Sequence, residues 1–400
     1  MIWFQLGREQ KLSIAELLAV FPNKEIAFFS SDFLILDGLE IEYVLKVANN
    51  LWWTIKIVEI IDENILDIAK NSGWKFKYWL STFWEKKNLK SILIWLKKDL
   101  KLSNISSRFV NKDFTNLSSS QILGENLIKS GTDFSYIFAK VPSTSILIKE
   151  ENIGKYYIWK TIWIQDIYNY SKRDYEKDRD MQTGMLPPKL SQMMINIAKS
   201  DLDWQPIIYD PFVWLGTVLI EAILMWFKSV YWSDLNEKMV ENTMNNITTF
   251  CKTENIEFEN FQVIKLNAKF INESEYFQKW VNLIVTEWYL WEMMTQKNIS
   301  LERIDKQKKS LLELYTSFFE WLEKVKYKWN IVICFPLWEM NWKYIYFNEI
   351  YDLLVKYSII QDIFPPSFTW ITTSKSWSLI YKRDKQLVWR EIFKLKLKKV

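Results

Sequence analysis

Residues 207–236 constrain this chain more than any other stretch. They open on a short apolar run, Ile207-Ile208-Tyr209, which reads as a buried strand ended by Asp210-Pro211. Phe212-Val213-Trp214-Leu215-Gly216-Thr217 comes next, then a helical pattern with Val218, Leu219, Ala222, Ile223 and Met225 on its apolar side. A second short strand, Ser229 to Tyr231, leads to Asp234, 18 residues after Gly216. A strand, a glycine-bearing turn, a helix and a second strand tipped by an acid make the layout of a nucleotide-binding βαβ unit. In that unit the acid accepts hydrogen bonds from ribose hydroxyls.

One residue is at odds with this layout. The turn after the first strand brings backbone close to a ligand, which a glycine permits and a side chain obstructs; here the turn holds Trp214. Composition points to a cause. The chain has 8 glycines in 400 residues and 23 tryptophans, whereas glycine ordinarily makes up roughly 7% of a protein. The 8 and the 23 together come to 31 of 400, an ordinary glycine content. Several tryptophans also stand where glycines belong. Trp52-Trp53 follows Asn49-Asn50 at a turn, and Trp329-Asn330 precedes the apolar run Ile331 to Cys334. Asn341-Trp342 has the place of an Asn-Gly turn, and Trp226 follows a helix ending at Met225, where a C-terminal glycine is expected. A lineage that reads the UGA codon as glycine, translated with a table that reads it as tryptophan, gives this pattern. The alternative is a genuinely tryptophan-rich protein with large rings at sharp turns.

The bulk properties narrow the chemistry. Four hundred residues suffice for two or three domains with ample core. No apolar run approaches the roughly 18 residues needed to cross a bilayer, and the first residues lack the basic-then-apolar order of a signal peptide. Cys251 and Cys334 are too few for a disulfide framework and fit a reducing cytoplasm. The net charge of +4 permits a nucleic-acid partner without demanding one. The absence of histidine excludes a Ser-His-Asp triad, a Cys-His pair and any histidine-bound metal, so no metal site is expected. Carboxylates, amides, Lys, Tyr or a bound cofactor must carry the chemistry.

Residues 1–70 alternate short elements: a strand at Ile2–Leu6, a helix capped by Ser13 with Glu16 three residues on, one or two strands over Phe28–Leu36, a helix at Tyr43–Val47 and a strand at Thr54–Ile60. Over 74–150 a strand is expected at Phe76–Leu80, a helix at Leu89–Leu100 and a helix start near Leu117–Leu123. Lys97, Lys98, Lys101 and Arg108 suit either phosphate contacts or a solvated helix terminus. Pro187-Pro188 opens a helix whose apolar face is Leu190, Met193, Met194 and Ile197. Beyond Asp234, strands are expected at Gln262–Leu266, Leu283–Val285 and Ile331–Phe335, with a long charged helix over Ser300–Lys326. A closing pair is expected at Ser367–Thr372 and Leu379–Lys382, and the basic, alternating tail Lys394–Lys399 reads as an exposed edge strand.

At this point a resemblance emerges. Arg173-Asp174, Gly184-Met185-Leu186-Pro187-Pro188-Lys189-Leu190, Asp210-Pro211-Phe212-Val213-Trp214-Leu215-Gly216-Thr217 and Trp232-Ser233-Asp234 together resemble the tRNA guanosine N2-methyltransferases. These join an N-terminal THUMP RNA-binding region to an S-adenosylmethionine-dependent Rossmann-like domain. Glycine at Trp214 restores their first motif, with Val213 for the usual Cys, and glycine at Trp232 gives their Gly-Ser-Asp. Over 1–150 the likeness is weaker, carried by Leu51-Trp52-Trp53-Thr54 for Leu-Gly-Gly-Thr. The resemblance implies an α/β fold: a Rossmann-like class I methyltransferase domain with a seven-stranded mixed sheet, preceded by an α+β THUMP-like RNA-binding region. The implied domains are 1–70 (ferredoxin-like α+β), 71–160 (THUMP-like) and 161–400 (methyltransferase).

Roles follow from the same resemblance. Asp210, Pro211, Trp214 (as glycine), Gly216 and Thr217 would form the loop around the methionine part of S-adenosyl-L-methionine, and Asp234 with Leu235 would hold the ribose. Asn267 and Ala268 would face the adenine, and Gly184, Met185, Leu186 and Pro187 would close from the side. Relatives carry Asp-Pro-Pro-Tyr after the fourth strand; here the segment is Thr286-Glu287-Trp288-Tyr289-Leu290-Trp291. Glu287 would accept the target amine's hydrogens, Tyr289 would stack on a flipped-out base, and Thr286 beside them would be the third catalytic residue. The segment lacks proline, and its Tyr stands one position early relative to the family. The expected partner is tRNA, the expected state a monomer in the cytoplasm. The alternatives are an amino-methyltransferase on another RNA or on DNA adenine or cytosine, and an RNA-binding protein with a degenerate methyltransferase domain.

Overall fold

The structure, a computed structural model, describes residues 2–398 apart from 61–64, 72–74, 84–88, 112, 126, 128–133, 141–155, 169–185, 201, 203–205, 258–260, 266–280, 288–293, 296–297, 365–372, 375–376 and 384–385. The chain divides into two compact units, one of residues 1–14 and 23–172, the other of 15–22 and 173–400.

One eight-stranded sheet runs through the first unit. Its strands are β1 (Ile2–Leu6), β2 (Ile26–Phe29), β3 (Phe33–Leu36), β4 (Thr54–Ile60), β5 (Phe76–Phe83), β6 (Ser107–Phe109), β7 (Phe134–Lys140) and β8 (Tyr156–Ile164), in the order β2-β3-β1-β4-β8-β7-β5-β6. The helices in this part of the chain are α1 (Gln10–Val20), which runs from the first unit into the second, α2 (Ile41–Ala48), α3 (Ile65–Asn71), α4 (Leu89–Leu102) and α5 (Ser119–Gly124). Helical spacing explains α4: Leu89, Leu93, Leu96 and Leu100 form one buried stripe, packed with Phe76, Tyr78 and Leu80. Ser118 and Gln121 form a reciprocal capping box on α5. Ser13 does not cap a helix. It sits inside α1, where its hydroxyl donates to the Trp53 carbonyl at 2.7 Å and accepts the Gly7 N–H at 3.1 Å. The backbone helix therefore starts earlier than the side-chain pattern suggested.

The second unit carries the α/β fold expected from the sequence. Its helices are α6 (Pro188–Lys199), α7 (Thr217–Leu224), α8 (Glu237–Thr253), α9 (Leu301–Lys324) and α10 (Asn348–Tyr357). Its strands are β9 (Ile208–Asp210), β10 (Val230–Asp234), β11 (Phe261–Lys265), β12 (Leu283–Glu287), β13 (Asn330–Met340), β14 (Lys343–Ile345), β15 (Ser358–Gln361), β16 (Leu379–Tyr381) and β17 (Val388–Leu397). The main order is β11-β10-β9-β12-β13-β17-β15, a seven-stranded mixed sheet, with β14 and β16 added at β13 and β17. Strands β9 to β13 run parallel to one another and β17 runs antiparallel between β13 and β15. This is a Rossmann-like sheet. Its chain order reverses between β9 and β12, and in open α/β sheets ligands bind outside the strand ends at such a switch point.

Packing explains the long elements. One face of α9 buries Ile304, Leu311, Tyr315, Phe318, Phe319 and Leu322 against Ile331, Ile333 and Phe335 of β13. Fully burying each such side chain contributes roughly 1.5–3 kcal/mol. β13 is twice the expected length because β17 and β14 pair along it. The basic tail is not an edge strand: β17 lies inside the sheet, with Lys394 buried and its ammonium donating to Ser200 Oγ at 2.9 Å. Leu395 and Leu397 are buried while Lys396 and Lys398 are exposed, so the alternation reports one covered face and not an open edge. β15 and α10 were not foreseen, and Ser367–Thr372 lies outside the described residues.

Among the described residues, four tryptophans adopt left-handed backbone: Trp214 (φ 51°), Trp226 (65°), Trp342 (62°) and Trp377 (66°). Bulky residues rarely do so, since left-handed backbone costs an L-residue about 1–2 kcal/mol. Trp226 is the C′ residue of a Schellman motif, with Trp226 N–H on the Ile223 carbonyl (3.0 Å) and Phe227 N–H on the Ala222 carbonyl (3.1 Å). Asn104, Asn255 and Lys326 hold the equivalent place after α4, α8 and α9. Asn341 and Trp342 are both left-handed between the paired Met340 and Lys343, a two-residue hairpin loop with the signs of a type I′ turn.

Candidate active site

The switch point brings together the ends of β9 and β12. Asp210 closes β9 and is buried; its Oδ1 accepts the Thr286 hydroxyl at 2.6 Å and the Phe212 N–H at 3.1 Å. Burial pushes the Asp210 carboxyl up to about 7, against the pull of those two hydrogen bonds and with help from the Asp234 and Glu287 charges. Thr286, read from the sequence as catalytic, is itself buried with its hydroxyl committed to Asp210. It ties the two strand ends together. Because Asp210 titrates higher folded than unfolded, the folded state binds more protons between 3.8 and about 7. Stability contributed by this group is therefore lost as pH rises through that interval. Asp210→Asn keeps an acceptor for both donors and is expected to flatten the loss. Urea unfolding across this pH range checks it: an unchanged slope would show that Asp210 is not the group responsible.

The turn after β9 is pinned along its length. Val213 N–H donates to the Ser233 carbonyl (3.2 Å), Trp214 N–H to Asp234 Oδ2 (3.2 Å) and Gly216 N–H to the Val213 carbonyl (2.8 Å). From α8, Thr243 Oγ1 donates to the Trp214 carbonyl (2.9 Å) and Asn246 Nδ2 to the Leu215 carbonyl (3.1 Å). Gly216 has φ 80°, and a Cβ there would lie 2.8 Å from Thr243 Cγ2. The glycine is thus required by both conformation and contact. Gly216 is the N-cap of α7 and Thr217 its first residue, so free helix N–H groups begin at this turn.

Asp234 stands at the tip of β10. Its Oδ1 accepts the Asn236 N–H at 2.9 Å while Oδ2 holds the Trp214 N–H, and burial raises its carboxyl above the ordinary value. A carboxylate keeps further lone pairs for a sugar diol. Leu235 beside it is exposed. Leu186 and Pro187 are buried, and the Pro187 carbonyl accepts the Leu190 and Ser191 N–H groups at the start of α6. Pro211 lies in the turn just after Asp210. Gly184, Met185, Asn267, Ala268 and Tyr289 lie outside the described residues.

Glu287 ends β12, and Arg390 Nε donates to its Oε1 at 2.5 Å. Burial raises the Glu287 carboxyl, and Arg390 and Arg383 pull it back. Nothing in the sequence marked Arg390. It is 103 positions away and sits in a strand whose basic alternation looked like solvent exposure.

Backbone and side chains give different answers on a nucleoside-bearing cofactor. The loop, the helix start and Asp234 fit one; an indole at 214, on a loop held by β10 and α8, does not.

Residues 175–286 match the family model of UPF0020, described as an RMKL-like, methyltransferase domain. Together with the sheet order, this gives the second unit the fold of a Rossmann-like methyltransferase domain. Among solved structures the chain is similar to TrmN from Thermus thermophilus, at 12% identity over 100% of both chains with a TM-score of 0.45. It is also similar to M. capricolum TrmK in complex with S-adenosyl-homocysteine, at 13% identity, covering 52% of this chain and 68% of that one, with a TM-score of 0.30. No curated protein matches the chain.

Proposed function

We propose that the chain is an S-adenosylmethionine-dependent RNA methyltransferase acting on the exocyclic N2 of a guanosine in tRNA, and that glycine is the native residue at many of the printed tryptophans, Trp214 among them. The observation that carries this reading is the turn after β9: left-handed backbone at both 214 and 216, held by hydrogen bonds to Asp234 and Thr243. Asp210, Gly216 and Asp234 would hold the cofactor, which when bound supplies an electrophilic methyl group. Glu287 accepts a hydrogen from the target amine and so orients its lone pair. Tyr289 supplies a stacking face, and the first unit, read as THUMP-like, supplies RNA contacts through Lys97, Lys98, Lys101 and Arg108. No described helix is long and apolar enough to cross a membrane.

Two measurements test this. The gene's codons at the 23 tryptophan positions are expected to include UGA at 214, 226, 342 and 377; UGG throughout would end the substitution argument. Incubation of the full chain, made with glycine at 214, with tRNA and methyl-labelled cofactor, then nucleoside mass spectrometry, is expected to place the label on guanosine as an N2-methyl group. Label on adenosine or cytidine would move the target, and no label despite cofactor binding would favour a degenerate domain that only binds RNA.

A further inference from the structure

We infer that Arg390 is a positioning residue for the amine-accepting carboxylate: its guanidinium takes Glu287 Oε1 and leaves Oε2 for the target nitrogen. The inference rests on the methyltransferase reading above and extends it to a strand outside the matched segment. Three observations carry it. First, Arg390 is 1% exposed on β17, and a buried cation is retained only where it is paired. Second, its Nε–H meets Oε1 at 2.5 Å, while Nη1 reaches Gln386 Oε1 at 3.5 Å and the guanidinium lies 6.0 Å from the Tyr381 ring centre. The group is thus held from more than one side and presents a fixed edge to the carboxylate. Third, Arg390 is the hydrogen-bonding partner of Glu287 among the described residues, and it engages one oxygen.

The surroundings show why such a partner is needed. Glu287 faces the Asp210 carboxyl from β9, the Cys334 thiol from β13 and the Tyr315 hydroxyl from α9, none of which favours a second negative charge. Among the described residues, Arg390 and, to a smaller extent, Arg383 are the cations that act on it. Without Arg390, burial and the neighbouring acid would favour the protonated carboxyl. A protonated oxygen donates a hydrogen bond, so it cannot accept one from an amine through the same site. A sheet strand is also a firm support for a positioning group.

The test uses the full chain with glycine at 214, taken as wild type here, and with 13C-labelled glutamate side chains. The Glu287 carboxyl signal is identified by its loss in Glu287→Gln and followed by NMR across pH. Arg390→Met is expected to raise its titration midpoint by at least about one pH unit relative to wild type, and Arg390→Lys by less, because an ammonium restores charge without the fork. The Arg390→Met/Glu287→Gln double variant removes both charges and serves as the folded control. Methyl transfer to tRNA is measured in parallel. In Arg390→Met, kcat is expected to fall about tenfold or more at neutral pH and to recover towards high pH, with KM for S-adenosylmethionine unchanged. An unmoved midpoint, or a uniform loss of kcat at every pH, would overturn the positioning role. Absence of transfer by the wild-type chain would remove the methyltransferase reading itself, and the titration would still report whether Arg390 governs the carboxylate.

Discussion

Trp214→Gly in the full chain is expected to tighten S-adenosylmethionine binding by about a hundredfold or more, close to 3 kcal/mol. The argument is geometric. The turn at 213–216 cannot retreat from a ligand, because β10 holds it through Ser233 and Asp234 and α8 holds it through Thr243 and Asn246. Whatever side chain stands at 214 is therefore accommodated without help from backbone movement. The indole is half-buried, with its nitrogen withdrawn from solvent. Glycine removes the ring and adopts φ 51° without strain. Isothermal titration of the two chains with S-adenosylmethionine decides it. Equal affinity would mean the ring does not stand in the cofactor's place, and the first motif would lose its meaning here. Trp214→Ala is the instructive intermediate, because it removes the ring while leaving a Cβ at left-handed backbone; its affinity is expected between the two.

Replacing Trp226, Trp342 and Trp377 together by glycine is expected to stabilise the second unit by roughly 2–3 kcal/mol, a rise in Tm of about 5–10 °C. Each has left-handed φ and each ring is exposed, so little burial is forfeited. Relief of the left-handed backbone, about 1–2 kcal/mol per site, is offset in part by the greater freedom of glycine in the unfolded chain. Trp338→Gly provides the contrast. Trp338 is fully buried, donates its Nε1–H to Gln307 at 3.1 Å and packs edge-on to Phe347. Its loss is expected to cost about 3–5 kcal/mol. Differential scanning calorimetry of the triple and single variants checks both directions. A triple variant no more stable than the parent would show that these turns tolerate the indole.

These expectations divide the tryptophans by backbone conformation. At 214, 226, 342 and 377 the chain demands what glycine gives freely. Trp3, Trp79, Trp159 and Trp232 lie buried in strands, where any residue takes the backbone and the rings pack, as Trp3 does on Trp159 at 4.1 Å between ring centres.

Local pattern made the βαβ core legible. A strand stopped by Asp210-Pro211, a 3.6-residue apolar repeat in α7 and an acid at the tip of β10 are each set by neighbours a few residues apart, so period and punctuation reveal them. The same holds for Thr54–Ile60, for the Pro-initiated α6 and for α9 with its Ser300 cap. The glycine deficit and the tryptophans at turns were equally legible, because left-handed turns select residue type locally. Tertiary structure alone decided the rest. β17 is interior because β15 returns to cover it, which no local signal records. The Thr286 hydroxyl is turned to Asp210, 76 positions away, and Glu287 meets Arg390 across β13. Charge and alternation say only that a side chain is polar; whether it faces water or a buried partner depends on strand order, and strand order is fixed by the contacts of the whole sheet.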